Sequence, residues 1–165
     1  MTGEVMKKVL IAMDESEGSL RAVEHVARQF VGMSDLQITL FHVLLGVPPQ
    51  FWDDGHLLTN EDKEARKSVI EKWVINQKTR LDSIFQKAIE TLTRRGIPRD
   101  QISTKFTSES LDVIAQCILA EAKAGGYQTL VIGRCGRSRT MHFLLGSIAT
   151  QVVNAGEGLA VCVVG

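Results

Sequence analysis

GRCGRSRTMHFLLGSIAT, residues 133–150, decides how the rest of the chain is read. It carries the apolar run TLVIG, residues 129–133, into a segment with helical spacing, and sets Gly133, Gly136 and Gly146 among Arg134, Arg137 and Arg139. Glycine lets a backbone come close to another group or adopt positive φ. Loop amides and the amino end of a following helix present donors to an anion, and guanidinium groups add forked, permanent charge. No acid stands between Glu121 and Glu157, so the stretch predicts a local positive field. A strand-to-helix turn needs glycine for its geometry, but geometry alone does not call for arginines.

Working outward, TLVIG is one of several short apolar runs that fit strands buried on both faces of a parallel sheet. Lys8–Met13 (KVLIAM) ends at Asp14, residues 36–45 (LQITLFHVLL) repeat the pattern, residues 101–106 (QISTKF) alternate more weakly, and residues 159–164 (LAVCVV) close the chain. Helical segments stand between them. Asp14 and Glu17 are spaced as in a capping box before Leu20, Val23, Ala27 and Phe30. A long helix is predicted from about Thr59 to Arg95, with Glu61, Asp62 and Glu64 at its start and Gly96 and Pro98 after its end. Ile70, Trp73, Val74, Leu81, Ile84, Phe85, Ala88 and Leu92 form its expected buried stripe. A third helix carries Leu111, Ile114, Ala115, Ile118, Leu119 and Ala122 up to Gly125 and Gly126, and a fourth opens at Ser147 and runs to Asn154. Strict alternation of strand and helix calls for an open parallel sheet with helices on both faces, in a single domain spanning residues 1–165. In such sheets ligands sit beyond the carboxyl ends of the strands, where strand order reverses. Asp14, Val43 and the glycine stretch should converge there.

Composition narrows the classes further. Lys plus Arg and Asp plus Glu both number 19, so net charge argues for neither nucleic acid nor a membrane surface as partner. At 44% hydrophobic residues and 165 in all, the chain can bury a core of ordinary size. The apolar part of MTGEVMKKVLIAMD is too short for a signal peptide, and no run approaches the roughly 18 apolar residues of a membrane span. Cys117, Cys135 and Cys162 form neither a disulfide framework nor a paired metal motif, and a reduced, cytoplasmic setting is expected. AMDESEGSL stands where a dinucleotide-binding GxGxxG would be, and no GxxxxGK[ST] occurs.

The spacing G-x2-G-x9-G-[ST] after a strand, in GRCGRSRTMHFLLGS, together with a first strand ending in Asp, resembles the nucleotide-binding branch of the universal stress protein family. The resemblance covers essentially the whole chain. It implies a Rossmann-like (adenine nucleotide alpha hydrolase-like) α/β fold with a five-stranded sheet of order 3-2-1-4-5, ATP with Mg2+ held mainly by the phosphates, and a homodimer paired through the last strand. By that similarity Ala12 and Asp14 border the adenosine, Val43 meets the adenine through its backbone, and Gly133, Gly136, Gly146 and Ser147 wrap ribose and phosphates with Ile148 alongside. Arg134 and Arg137 are assigned to phosphate on charge alone. The function expected is a dimeric stress-response or signalling module with an unidentified partner. It is not a dedicated enzyme, has no catalytic or protein-held metal residues, and hydrolyses ATP slowly at most. The alternative is an interaction module of the same fold that works without nucleotide.

Other residues keep two readings. Asp14 serves as a helix N-cap or as a ligand contact. His42 reads as a packed strand residue before a base, and His142 as solvated. Cys135 reads as a plain small residue before a redox thiol, while Cys117 and Cys162 read as core. Phe51 and Trp52, beside Asp53 and Asp54, form a flap over a base or a self-packed surface loop.

Overall fold

A computed structural model describes residues 5–46, 59–135 and 145–165. Strands β1 (Lys7–Ala12), β2 (Leu36–Leu45), β3 (Ile102–Glu109), β4 (Thr129–Gly133) and β5 (Ala160–Val164) alternate with helices α1 (Glu17–Phe30), α2 (Asn60–Arg94), α3 (Ile114–Ala124) and α4 (Ser147–Ala155). All neighbouring strands run parallel, in the order β3-β2-β1-β4-β5. The expected sheet is therefore the observed one. Strand order reverses between β1 and β4, where Ala12 lies opposite Ile132.

Side-chain alternation divides each strand between two cores. Val9, Ile11, Ile38, Leu40 and Val131 face α1 and α2, and pack with Val23, Val26, Phe85 and Leu92. Leu10, Ala12, Phe41, Val43, Leu130 and Ile132 face the other way, and pack with Ala115, Ile118, Ala149 and Val152 of α3 and α4. Central strands buried on both faces explain why β1 and β4 read as unbroken apolar runs. β3 is an edge strand; its burial weakens beyond Ile102, and it continues past the expected end to Glu109.

Two expectations for helix faces are corrected. Leu20 is exposed, because α1 buries Gly18, Ser19, Ala22, Val23, Val26 and Ala27 instead. Val74 of α2 is 48% exposed, and burial on this 35-residue helix is confined to Leu81, Ile84, Phe85, Ala88 and Leu92. At about 1.5 Å per residue such a helix is about 50 Å long, far more than the sheet covers, so its first half leaves the core behind. Its ends follow the sequence signals. Thr59 accepts from the Asp62 amide while the Asp62 carboxylate accepts from the Thr59 amide, a capping box. Gly96, at φ 100°, ends the helix in a conformation other residues resist.

One backbone contact fixes α1 against β4. A Cβ on Gly18 would stand 2.6 Å from the Cys135 carbonyl oxygen, and a Cβ on Gly133 would stand 2.7 Å from the Gly18 carbonyl carbon. Only glycine at both positions allows this approach. The glycine of β4 is thus required by helix packing, whatever else it touches.

Gly18→Ala and Gly133→Ala are each expected to cost about 1–3 kcal/mol, since the colliding atoms are backbone and cannot swing aside; urea denaturation without ligand measures it. Thr59→Ala should remove about 1 kcal/mol of local stability at the start of α2. Hydrogen bonds from Thr59 hold the Asp62 carboxyl below its ordinary value. The cap is therefore at full strength above the ordinary carboxylate range and fades as pH falls through the lowered folded value. Protection factors of the amides in the first turn of α2, exchange rates taken relative to the unfolded chain at the same pH, should fall in the variant, and in the native chain on acidification.

Candidate functional site

Beyond the carboxyl ends of β1, β2 and β4 lies a cavity of about 480 Å³, within the range of small-molecule sites. Ala12, Asp14, Val43, Gly133, Arg134, Gly146, Ser147 and Ile148 all line it. Gly136 and Arg137 lie outside the described residues, as do Arg139, His142 and the Phe51–Asp54 segment.

Asp14 follows β1 and organises the turn into α1. Its Oδ1 accepts from the Ser16 amide (2.8 Å), from the Ser19 hydroxyl (2.6 Å) and from the Ser16 hydroxyl, while its own amide donates to Ser19 Oγ (2.9 Å). The N-cap of α1 is Ser16, whose hydroxyl accepts from the Ser19 amide at 3.2 Å. The expected pairing of Asp14 with Glu17 as a capping box is therefore corrected. Asp14 stands two residues too early to cap, and instead holds the capping serine in place.

Across the divide, Gly146 donates its amide to the Arg134 carbonyl (2.8 Å), joining the end of β4 to the start of α4. Gly146 is itself the N-cap and provides no side-chain acceptor. The Thr150 amide closes the first helical turn onto the Gly146 carbonyl at 2.9 Å. The amides of Ser147, Ile148 and Ala149, at the positive end of the α4 dipole, thus stand at the cavity without a side-chain cap. The Arg134 side chain runs along the end of β5, its Nε 3.8 Å from where a Cβ on Gly165 would be.

Sequence reasoning missed the far wall. Trp73, Gln77, Arg80, Leu81 and Ile84 bring α2 to the cavity, and Glu15 reaches it from the β1–α1 turn. Arg80 grips Glu15 with two parallel bonds, Nε to Oε1 at 2.6 Å and Nη2 to Oε2 at 2.5 Å. The signal was present in the helical spacing: Gln77 and Arg80 are polar residues on the inward stripe that Trp73 and Ile84 define. His42 also lines the cavity, its Nδ1 2.6 Å from the Met13 carbonyl oxygen. Phe41 and Val43 face α3 and α4, so their neighbour His42 faces α2 with Leu40.

Of the cysteines, Cys135 lines the cavity. Cys117 and Cys162 pack half-buried against the cores, as their segments suggest. Burial, and secondarily Glu109, pushes the Cys117 thiol up. Among the described residues no group of three His, Cys, Asp or Glu side chains is placed to hold a metal ion, and no helix is long and apolar enough to cross a membrane.

In fold the chain is similar to the hypothetical protein MJ0577, with a TM-score of 0.65 at 20% identity over 97% of this chain and 96% of that one. It is similar to a universal stress protein in complex with cAMP (TM-score 0.62, 17% identity, 96% of each chain). A universal stress protein from Archaeoglobus fulgidus in complex with dAMP compares likewise (TM-score 0.61, 15% identity, 98% of this chain and 99% of that one). No curated protein matches the sequence. The model of the universal stress protein family, however, matches residues 6–157, from the first strand to beyond α4, and the chain belongs to that family.

Proposed function

We propose that the cavity binds an adenine nucleotide, ATP with Mg2+, and that the chain works as a dimeric, nucleotide-responsive stress or signalling module in the cytoplasm. The observation that carries the reading is the uncapped first turn of α4, which shares one cavity with Asp14 and Val43 at the point where strand order reverses. An anionic tail satisfies the amides of Ser147, Ile148 and Ala149. The apolar walls formed by Ala12, Val43, Ile132 and Ile148 suit a base and a sugar. Universal stress proteins in complex with cAMP and with dAMP are among the chains of similar fold, which supports a nucleotide here.

In this reading the metal is held mainly by the phosphates. Gly136, assigned by resemblance to the motif, and Arg137, assigned on charge, complete the phosphate side of the reading. Binding is favoured over dedicated catalysis, since the two described carboxylates at the cavity, Asp14 and Glu15, are tied into the fold by hydrogen bonds. Asp14 Oδ1 receives three hydrogen bonds, and Glu15 is held by Arg80. Phosphoryl transfer needs a base or a water-orienting group in place. Dimer formation is assigned to β5, an edge strand whose Val161, Cys162, Val163 and Val164 are only half-buried and whose outer backbone groups have no neighbouring strand among the described residues.

Thermal melting with and without MgATP tests the reading. At about 100 times the dissociation constant, bound ligand should add about 2.7 kcal/mol. A denatured preparation should also release adenine nucleotide if the ligand is retained through purification. Neither a shift nor any release would instead favour the nucleotide-independent interaction module, and many turnovers per second would favour an enzyme.

A further inference from the structure

Trp73, Gln77 and Arg80, four and then three residues apart, share the face of α2 that lines the cavity. Lower on this face the helix buries Leu81, Ile84 and Ala88; higher up the face turns polar while remaining half-buried. Polar groups on the wall of a cavity are available to whatever enters it. Arg80 is answered by Glu15. The Gln77 amide and the Trp73 indole N–H have no hydrogen-bond partner among the described residues.

His42 adds a group of defined sense. A carbonyl oxygen only accepts, so the ring donates its Nδ1–H to Met13 and Nε2 is the nitrogen left for another partner. Nε2 also lacks a partner among the described residues. This wall therefore offers an indole donor, an amide with donor and acceptor, and the second imidazole nitrogen. Among the described residues of α2 at the cavity the one cation, Arg80, is already paired with Glu15 and is not spare for phosphate. The opposite wall presents the positive end of α4. The cavity is polarised, anion-seeking at α4 and rich in hydrogen-bonding groups at α2.

We infer that Trp73, Gln77 and His42 recognise the neutral end of the ligand, its base or ribose, and so fix which way the ligand lies and which one is accepted. The inference rests on nucleotide binding at this cavity. It assigns α2 the part of a selectivity wall, to which the sequence motif does not extend.

Calorimetric titration of the wild-type chain and of Gln77→Leu with the magnesium complexes of ATP, ITP, 2′-deoxyATP and tripolyphosphate tests it. Gln77→Leu should weaken ATP about three- to tenfold and leave tripolyphosphate unchanged. A loss shared by ATP and 2′-deoxyATP but absent for ITP puts the base on the wall. A loss shared by ATP and ITP but absent for 2′-deoxyATP puts the ribose there, and either supports the inference. Unchanged ATP affinity, or equal weakening of ATP and tripolyphosphate, overturns it while leaving nucleotide binding intact. A wild-type chain that binds none of the four overturns both. Because the chain has two tryptophans, Trp52→Phe leaves Trp73 alone, and its emission should shift with ATP but not with tripolyphosphate. Constant emission at saturating ATP also counts against the wall.

Discussion

The contact between Gly18 and Gly133 sets the geometry on which the site depends. With no side chain on either residue, the first turn of α1 lies directly on the end of β4. That leaves the turn carrying Asp14 at the same level as the start of α4. Hydrogen bonds then lock the arrangement from both sides: Ser16 and Ser19 onto Asp14, and Gly146 onto Arg134. The cavity is the space left between these two fixed turns. A glycine that reads in the motif as room for a ligand is, at position 133, first of all room for a helix.

Electrostatics at the site is local, as a chain with 19 basic and 19 acidic residues requires. The Arg80–Glu15 pair is partly exposed, with side-chain accessibilities of 41% and 30%, and such pairs add little to stability, about 0–1 kcal/mol. Its effect is positional. Two parallel bonds tie the middle of α2 to the β1–α1 turn, and so hold Trp73 and Gln77 over the cavity although this part of the helix lies beyond the core.

Much of the fold was legible because its signals are local. Runs such as KVLIAM and TLVIG mark strands buried on both faces, and Thr59 with Asp62, then Gly96, mark the ends of α2. The placement of Ala12, Asp14, Val43, Gly146 and Ser147 around one cavity follows from topology once parallel strands are assumed. What sequence could not resolve depends on packing between distant elements. Asp14, Ser16 and Glu17 are all plausible in a helix start, and only the observed turn makes Ser16 the cap. Val74 has the spacing of a core residue, yet α2 has already run past the sheet there. Trp73 reads as core by the same spacing, but the space it faces is a cavity. Gly136 and Arg137 fall outside the described residues, so their part in the motif rests on sequence.

The bond from the Gly146 amide to the Arg134 carbonyl couples two elements at the ends that meet the cavity. It ties the start of α4 to the end of β4, the strand against which the first turn of α1 also rests. A shift of β4 is therefore handed through the main chain to the donors of α4 and to the turn that carries Asp14 together, so that both sides of the cavity respond to the sheet as one.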